Sequence, residues 1–263
     1  MSVEVVHWNP RRPLYRGRLT RFGPRLNNFG DVLGPVIVKE MLKKAGVNRR
    51  GNDSSRRLLA VGSIMHFASE GDAVWGTGVN GKKLAAELPG GLDVRAVRGP
   101  LTRRILEAKG IAVPAVFGDP GLLVGQLWSR DQLAARQPQR RFSIVPNFHD
   151  YPLVPSTAQT IDPTGKLWEV IGKIAASDFV VGSSLHGIII AESLGIPARL
   201  VVSGTEPLFK YRDYYEGTGR AAFMPAKSVD EALALKGEPL PDWDPTPLQN
   251  AFPYDLWSTK ALV

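Results

Sequence analysis

The stretch Asp178-Phe-Val-Val-Gly-Ser-Ser-Leu-His-Gly-Ile-Ile-Ile-Ala-Glu-Ser-Leu-Gly-Ile-Pro197 decides the fold class, because a short apolar run meets two serines and a histidine and then an amphipathic helix. Phe179, Val180 and Val181 favour a strand. Gly182, Ser183 and Ser184 form a turn cluster whose serines suit a helix N-cap, and the run from Ile188 to Leu194 is closed by Gly195 and Pro197. The order strand, loop, helix is the repeating unit of a parallel α/β sheet. In such sheets ligands bind at the carboxyl ends of the strands, where the free N–H groups opening a helix attract phosphate or carboxylate. Ser183, Ser184, Leu185 and His186 therefore stand where an anion would bind. A histidine satisfied by backbone at a helix start gives the same letters, so the stretch alone leaves both readings open.

At 263 residues with 43% hydrophobic content, the chain can bury one large core or two of about 110 to 130 residues each, and two lobes are expected. Cysteine is absent, which excludes a disulfide framework and a thiolate zinc site and points to a reducing cytosol. The first residues lack a basic segment followed by a long apolar run, so no signal peptide or membrane span is expected. The net charge of +8 is unevenly placed. Residues 1–57 carry thirteen Lys/Arg against Glu4, Asp31, Glu40 and Asp53, a local +9, and the remaining 206 residues sum to −1. That field suits a local anionic partner such as nucleic acid, an anionic membrane or a phosphorylated substrate, and a solvated arginine-rich loop would look alike.

In chain order, residues 3–8 read as a strand. Residues 9–26 are irregular and carry Arg11, Arg12, Arg16, Arg18, Arg21 and Arg25. Asn28, Gly30 and Asp31 then lead into a helix with Val32, Leu33, Val36, Ile37, Met41, Leu42 and Ala45 on one face, Pro35 in its first turn and Gly46 as its stop. These three residues either line a second wall of the site or cap that helix. Further strands are expected at 58–61, 73–75, 92–97 and 113–117. Gly76-Thr-Gly78-Val-Asn-Gly81 matches the spacing of a dinucleotide fingerprint, but the helix after it is too short and the acidic residue about 20 positions on is missing. Gly76 and Gly78 instead suit a loop that admits a substrate against backbone N–H groups, or a tight turn. Arg98 ends the 92–97 strand before a helix over 101–109, where its guanidinium can fork onto a carboxylate or phosphate.

Residues 128–141 are polar and read as a linker; 142–146 open a second α/β unit, followed by a helix near 167–176. A strand at 198–202 leads into Phe209-Lys-Tyr-Arg-Asp-Tyr-Tyr215, whose Lys210, Arg212 and tyrosines can stack a sugar ring and hold an anion or can face solvent. A helix is expected at 229–235 and a docking apolar tail at 251–257.

Five motifs occur in order: Asn28-Phe-Gly-Asp31, Val97-Arg-Gly-Pro100, Gly118-Asp-Pro-Gly121, Ser183-Ser-Leu-His-Gly187 and Phe209-Lys-Tyr-Arg-Asp-Tyr-Tyr215. Together they resemble the polysaccharide pyruvyl transferase family. The blocks Gly62-Ser-Ile-Met-His-Phe67, Val74-Trp-Gly-Thr-Gly78 and Ala251-Phe-Pro-Tyr-Asp-Leu-Trp257 make the chain look most like the ketal pyruvate transferases of xanthan and succinoglycan assembly. The resemblance implies an α/β fold of two Rossmann-like lobes, GT-B-like, with the site in the interlobe cleft. The lobes would be 1–127, with the basic acceptor-side segment, and 140–245, binding phosphoenolpyruvate, with 246–263 as a docking tail.

It also implies transfer of the pyruvyl group from phosphoenolpyruvate to two hydroxyls of a sugar, forming a cyclic ketal, with no metal and no cofactor besides the donor substrate. The acceptor would be a polysaccharide or lipid-linked oligosaccharide, nucleic acid would not be a partner, and the protein would be cytoplasmic, touching the inner face of an anionic membrane. Carried over from the family, donor binding falls on Arg98, Leu185 and His186, with Lys210. His186 is the candidate acid, and Asp31 or Glu192 the candidate base. Some relatives have arginine where this chain has Ser184, so one anion donor must come from elsewhere. Two other classes compete: a nucleotide-sugar glycosyltransferase of GT-B type, and a basic nucleic-acid-binding protein without catalysis.

Overall fold

The computed structural model describes residues 3–12, 23–47 and 56–257. Arg16, Arg18 and Arg21 of the basic segment lie outside them. Of that segment, Arg11 and Arg25 meet in an antiparallel bridge, and Arg11 donates through Nη1 to the Gly23 carbonyl at 2.9 Å.

The chain is α/β with two parallel sheets. The first contains β1 (Val3–Val6), β2 (Arg56–Leu59), β3 (Ala73–Trp75) and β4 (Asp93–Ala96), adjacent in chain order. The second contains β5 (Ser143–Ile144), β6 (Val180–Gly182) and β7 (Ala198–Leu200), again in order and parallel. Strand order never reverses within either sheet, so neither has the switch point at which dinucleotide folds bind cofactor. Strands β3 and β6 are apolar runs buried on both faces, the pattern that central parallel strands require, whereas β1, β2 and β4 carry charged residues at partly exposed positions. No strand forms over 113–117. Only Phe117 bridges, to Val97.

Helix α1 (Phe29–Lys44) joins β1 to β2 and buries Phe29, Leu33, Ile37, Met41 and Leu42 along one stripe. It begins at Phe29, so Pro35 is its seventh residue and not in its first turn. Asp31 near its start and Lys43 and Lys44 near its end complement the helix dipole. Helix α2 (Pro100–Glu107) follows β4, with Pro100 at its opening position. A 3₁₀ turn at Pro120–Leu123 leads into α3 (Val124–Leu127).

The polar stretch expected to be a linker contains α4 (Arg130–Ala134), capped by Ser129, whose Oγ accepts from Gln132 N at 3.2 Å. It packs on α5 (Leu167–Ala175), and Arg130 donates to the carbonyls of Ala175 and Ser177 at the end of that helix. Polarity misled here because α4 is a surface helix whose inner contacts come from arginine stems and Leu133. Helix α6 (Leu185–Ser193) follows β6, α7 (Phe209–Gly217) follows β7, and α8 (Val229–Leu235) and α9 (Thr246–Asn250) complete the chain.

One apolar cluster runs through both sheets, from Leu58 and Trp75 to Val180 and Ile190, with the helices between them. Two sheets share one core. The C-terminal segment belongs to it: Phe252 packs edge-on against Trp75 at 4.8 Å, and Trp75 Nε1 donates to the Leu248 carbonyl at 2.8 Å. Tyr211, Tyr214 and Tyr215 of α7 are fully buried, so they are core residues and not a sugar-stacking surface. No described helix is long and apolar enough to cross a membrane.

The turn at Gly76 tests how the core is closed. Its φ is +83°, and a Cβ there would lie 2.4 Å from Pro120 Cδ. Gly46 also has positive φ, +66°, but open space around it. Urea unfolding should show Gly46→Ala losing about 1 kcal/mol and Gly76→Ala at least about 3 kcal/mol, the excess being steric. Equal losses would show that Pro120 gives way freely.

Candidate active site

The carboxyl ends of six strands, drawn from both sheets, open onto one cleft with a cavity of about 190 Å³. Trp8 follows β1, Ser63 and His66 follow β2, and Asn80 follows β3. From the second sheet come Asn147, Phe148 and His149 after β5, Ser184, Leu185 and His186 after β6, and Glu206 and Lys210 after β7. Parallel strands that all point one way necessarily gather their following loops at one edge. Here two such edges face each other.

His186 sits on the first turn of α6, which Ser184 caps by accepting from Gly187 N at 3.2 Å. The start of α1 lies directly against it: a Cβ at position 30 would be 2.3 Å from His186 Nδ1, so only glycine permits the approach. Two helix N-termini thus border one small volume, and their first amides have no partner within their own helices. Asn28 does not cap α1 with its side chain. Its Nδ2 donates to Asp31 Oδ2 at 2.5 Å, which holds the carboxylate at the cleft wall. Lys210, at the start of α7, donates to Glu206 at 3.1 Å, and Lys82 donates to the other Glu206 oxygen at 2.5 Å.

The loop carrying Phe148 and His149 is set by Asn147. Its Oδ1 accepts from the amides of His149 and Asp150, and its Nδ2 donates to Asp150 at 2.6 Å and Ser203 at 2.9 Å. Phe148 then meets Trp8 of the first sheet edge to face across the cleft mouth, ring centres 6.2 Å apart.

The structure brings Asn28, Gly30, Asp31, Ser184, Leu185, His186 and Lys210 together at the cleft. Other expected site residues lie elsewhere. Glu192 faces away from the cleft, is 5% exposed, and is taken up by Arg220 at 2.8 Å and by Tyr214 Oη at 2.5 Å, so it is a structural anion and not a base. Ser183 Oγ is engaged by Asn147. Gly76 and Gly78 serve packing: a Cβ at 78 would come 2.3 Å from Arg98 Cζ. Arg212 lies on the exposed face of α7.

Arg98 is fully buried, bound to Asp213 at 2.9 Å and to the Val79 carbonyl at 3.1 Å. It reaches the cleft only through Ser63, to which Nη1 donates at 2.6 Å. Asp119 was not singled out from the sequence, although it lies in the Gly118-Asp-Pro-Gly121 motif. It is fully buried and places Oδ2 3.8 Å from His186 Nε2. Glu206 and Asn147 carried no local signal, since one lies in a loop and the other in a turn that only tertiary pairing defines.

A family model described as polysaccharide pyruvyl transferase matches residues 28–204, more than half of the chain. The chain belongs to the polysaccharide pyruvyl transferase family. The succinoglycan biosynthesis protein ExoV of Rhizobium meliloti (strain 1021) is 31% identical over 156 residues, 55% of this chain and 47% of that protein. The match therefore spans about half the length of this relative. The crystal structure of a functionally uncharacterised protein from Klebsiella pneumoniae subsp. pneumoniae NTUH-K2044 superposes with a TM-score of 0.50 at 11% identity, covering 85% of this chain and 92% of that one, a likeness of fold alone. The matched region holds Asn28, Asp31, Asp119 and His186 and ends just before Glu206 and Lys210.

Burial pushes the ionisable groups of the cleft toward neutrality. Burial raises Asp31 to about 6 and Asp119 to about 6. Burial, then the charges of Lys210 and Arg98, lowers His186 to about 3. Burial also lowers Lys210, against the pull of Glu206. For Asp31, a raised folded-state pKa means that stability is complete below its usual value near 4 and falls as pH rises through about 6. Asp31→Asn removes that loss and should raise stability by on the order of 2 kcal/mol at pH 7.5 but not at pH 4, measured by denaturant unfolding at both. No pH-dependent gain would mean that the carboxylate is well solvated. Glu192→Gln should weaken the fold by about 2 kcal/mol or more, while the folded fraction keeps its activity. Loss of kcat in well-folded E192Q would restore Glu192 to the chemistry.

Proposed function

We propose that the protein transfers the pyruvyl group of phosphoenolpyruvate onto two hydroxyls of a sugar, forming a cyclic pyruvate ketal and releasing phosphate. The observation that carries this reading is the placing of His186 between two helix N-termini with Lys210 close by, a compact set of anion donors around one proton carrier. Phosphoenolpyruvate is a small, multiply charged anion and needs such donors. The acceptor belongs to polysaccharide assembly, as the family and the printed role of the Rhizobium relative suggest, and we read it as a lipid-linked oligosaccharide.

A proton adds to the methylene carbon of the donor, using the double-bond electrons, and leaves an oxocarbenium-like centre at C2. One sugar hydroxyl attacks C2 and gives up its proton. The C2–O bond to phosphate then breaks, and the second hydroxyl closes the ring as its proton leaves with phosphate. These steps ask for an acid and a base. His186 is the acid, and Asp31, raised by burial and held by Asn28, is the base for the attacking hydroxyl. In the empty site His186 is neutral. The donor's negative charges favour imidazolium, so donor binding arms the acid.

The two sheets act in this reading as two Rossmann-like, GT-B-like lobes. Residues 140–245 hold the donor through α6 and α7, and 1–127 present the acceptor, with Arg11 and Arg25 toward a lipid diphosphate or an anionic cytoplasmic membrane surface. Trp8 and Phe148 at the mouth offer the faces on which a sugar ring packs.

Incubation with phosphoenolpyruvate and lipid-linked glycans from bacterial exopolysaccharide assembly should release phosphate and form an acid-labile ketal. In heavy water the ketal methyl should carry one solvent deuterium. His186→Gln should lose kcat by about 10²-fold or more with a smaller change in donor KM. Wild-type turnover by H186Q, or a methyl free of deuterium, would sink the protonation role. A requirement for a nucleotide sugar in place of phosphoenolpyruvate would sink the reaction itself.

A further inference from the structure

At the floor of the cleft two buried polar atoms lack hydrogen-bond partners and face each other. Asp119 follows Gly118, is fully buried, and spends Oδ1 on the amide of Gly121 at 2.9 Å; its Oδ2 completes no hydrogen bond, although the Gly62 amide lies near enough to favour the carboxylate. His186 Nε2 is likewise buried and unpartnered, and the two atoms are 3.8 Å apart. Neither group is loosely held. Pro120 is locked against Gly76, Gly121 against Ile189 of α6, and the imidazole against Gly30 of α1. Buried polar atoms in native proteins are almost always paired, and catalytic hydrogen bonds are often long in empty sites and shorten when substrate closes them.

The two ring nitrogens have different surroundings. Nε2 faces the Asp119 carboxylate at 3.8 Å, whereas Nδ1 packs against Gly30, which lines the cleft together with His186. We propose that Asp119 is the positioning residue for His186: its carboxylate accepts the Nε2 proton, fixes the tautomer whose Nδ1 faces substrate, and steadies the imidazolium formed when Nδ1 takes up a proton. The tautomer rests on the facing of Nε2 and Oδ2 across 3.8 Å, a separation that must shorten to become a hydrogen bond. Its catalytic consequence rests on the pyruvyl transfer proposed above.

The charges around the pair set what it can do. Arg98 and Asp213 lie beneath it, Lys210 and Glu206 stand at the α7 side, and Asp31 stands on α1. Arg98 and Lys210 oppose a charged imidazole. Asp119 is the buried carboxylate placed to favour it, and the bound donor adds its own negative charge. In the reaction the proton on Nδ1 goes to C3 of phosphoenolpyruvate, the double-bond pair forms the new C–H bond, and the proton of the attacking hydroxyl, relayed by Asp31, returns to Nδ1. Nε2 keeps its proton throughout. Asp119 therefore holds charge and orientation without exchanging a proton with substrate.

The chain has four histidines, so ¹⁵N spectra of the full-length protein can be assigned by comparison with His186→Gln. The wild-type His186 ring, without substrate at pH 7.5, should show Nε2–H with an unprotonated Nδ1. Asp119→Asn, which presents an amide of the same shape, should lose this preference. It should also lower kcat by about 10²-fold or more, leave donor KM within about threefold, and flatten the pH dependence of kcat attributable to His186. Melting temperature should stay level or rise, since a buried carboxylate is removed.

An Nδ1–H tautomer in the wild type, or wild-type kcat in D119N, overturns the proposal, and the first result does not depend on D119N folding. If the Nε2–H tautomer is found and phosphoenolpyruvate is not turned over, the pairing stands and the reaction fails. If turnover occurs with the other tautomer, the reaction stands and the pairing fails.

Discussion

The ion pair between Arg98 and Asp213 holds the site together. It joins the loop after β4 to helix α7 across the middle of the protein, and both side chains are fully buried. Burying two charges is unfavourable unless nearly every hydrogen-bonding position is filled. Here Asp213 receives the amide and hydroxyl of Thr102 at 2.9 and 2.7 Å, and Arg98 reaches Asp213, Ser63 and the Val79 carbonyl. The backbones also meet closely, since a Cβ at Gly99 would collide with the Asp213 carbonyl and one at Gly217 with the Arg98 carbonyl. Helix α7 is therefore fixed against the first sheet. Its first turn, carrying Lys210, is delivered to the cleft by a buried contact that reaches the cleft through Ser63.

Helix starts and strand ends then concentrate polarity where the core would otherwise be apolar. The first turns of α1 and α6 approach each other through Gly30 and His186, so two partly positive helix ends border a single small volume. Asp31 in the first turn of α1, the Pro163 carbonyl accepting from Phe29 N, and Ser184 capping α6 satisfy these ends only in part. Glu206 is clamped between Lys82 and Lys210, and Asp31 is held by Asn28. The arrangement disfavours a cation at His186 and favours an anion beside it, which are two expressions of the same field.

Much of this was readable from sequence because α/β periodicity is local. The strand, loop and helix at 178–197 follow from apolar runs closed by Gly195 and Pro197, and position alone places His186 at a strand's carboxyl end. Arg98 was legible as a strand-end arginine, but its burial was not, because the partner that buries it lies 115 residues away. The tyrosines of α7 show the converse. Tyr211, Tyr214 and Tyr215 have the three- and four-residue spacing of a helical core face, and the interleaved charges drew attention away from it. Glu192 looked like a pocket carboxylate because it shares a helix with His186. Six positions along α6 put it near the opposite end, about 9 Å by the rise per residue, in the reach of Arg220.

Asp31, Asp119, His186 and Lys210 are all shifted toward neutrality, and burial is the first cause in each case. A protein selected only for stability would replace such groups with apolar ones or pair them fully, since a displaced pKa is a folding penalty at neutral pH. Under the function proposed above, a multiply charged ligand adds counter-charge beside His186, which has none at hydrogen-bond distance, and beside Lys210, which already pairs with Glu206, and it meets donors in place without reorganisation. The same low-dielectric surroundings that make the empty site unfavourable strengthen each of those contacts once it forms. On the proposed function, the burial that lowers stability is the same burial that selects a compact anion.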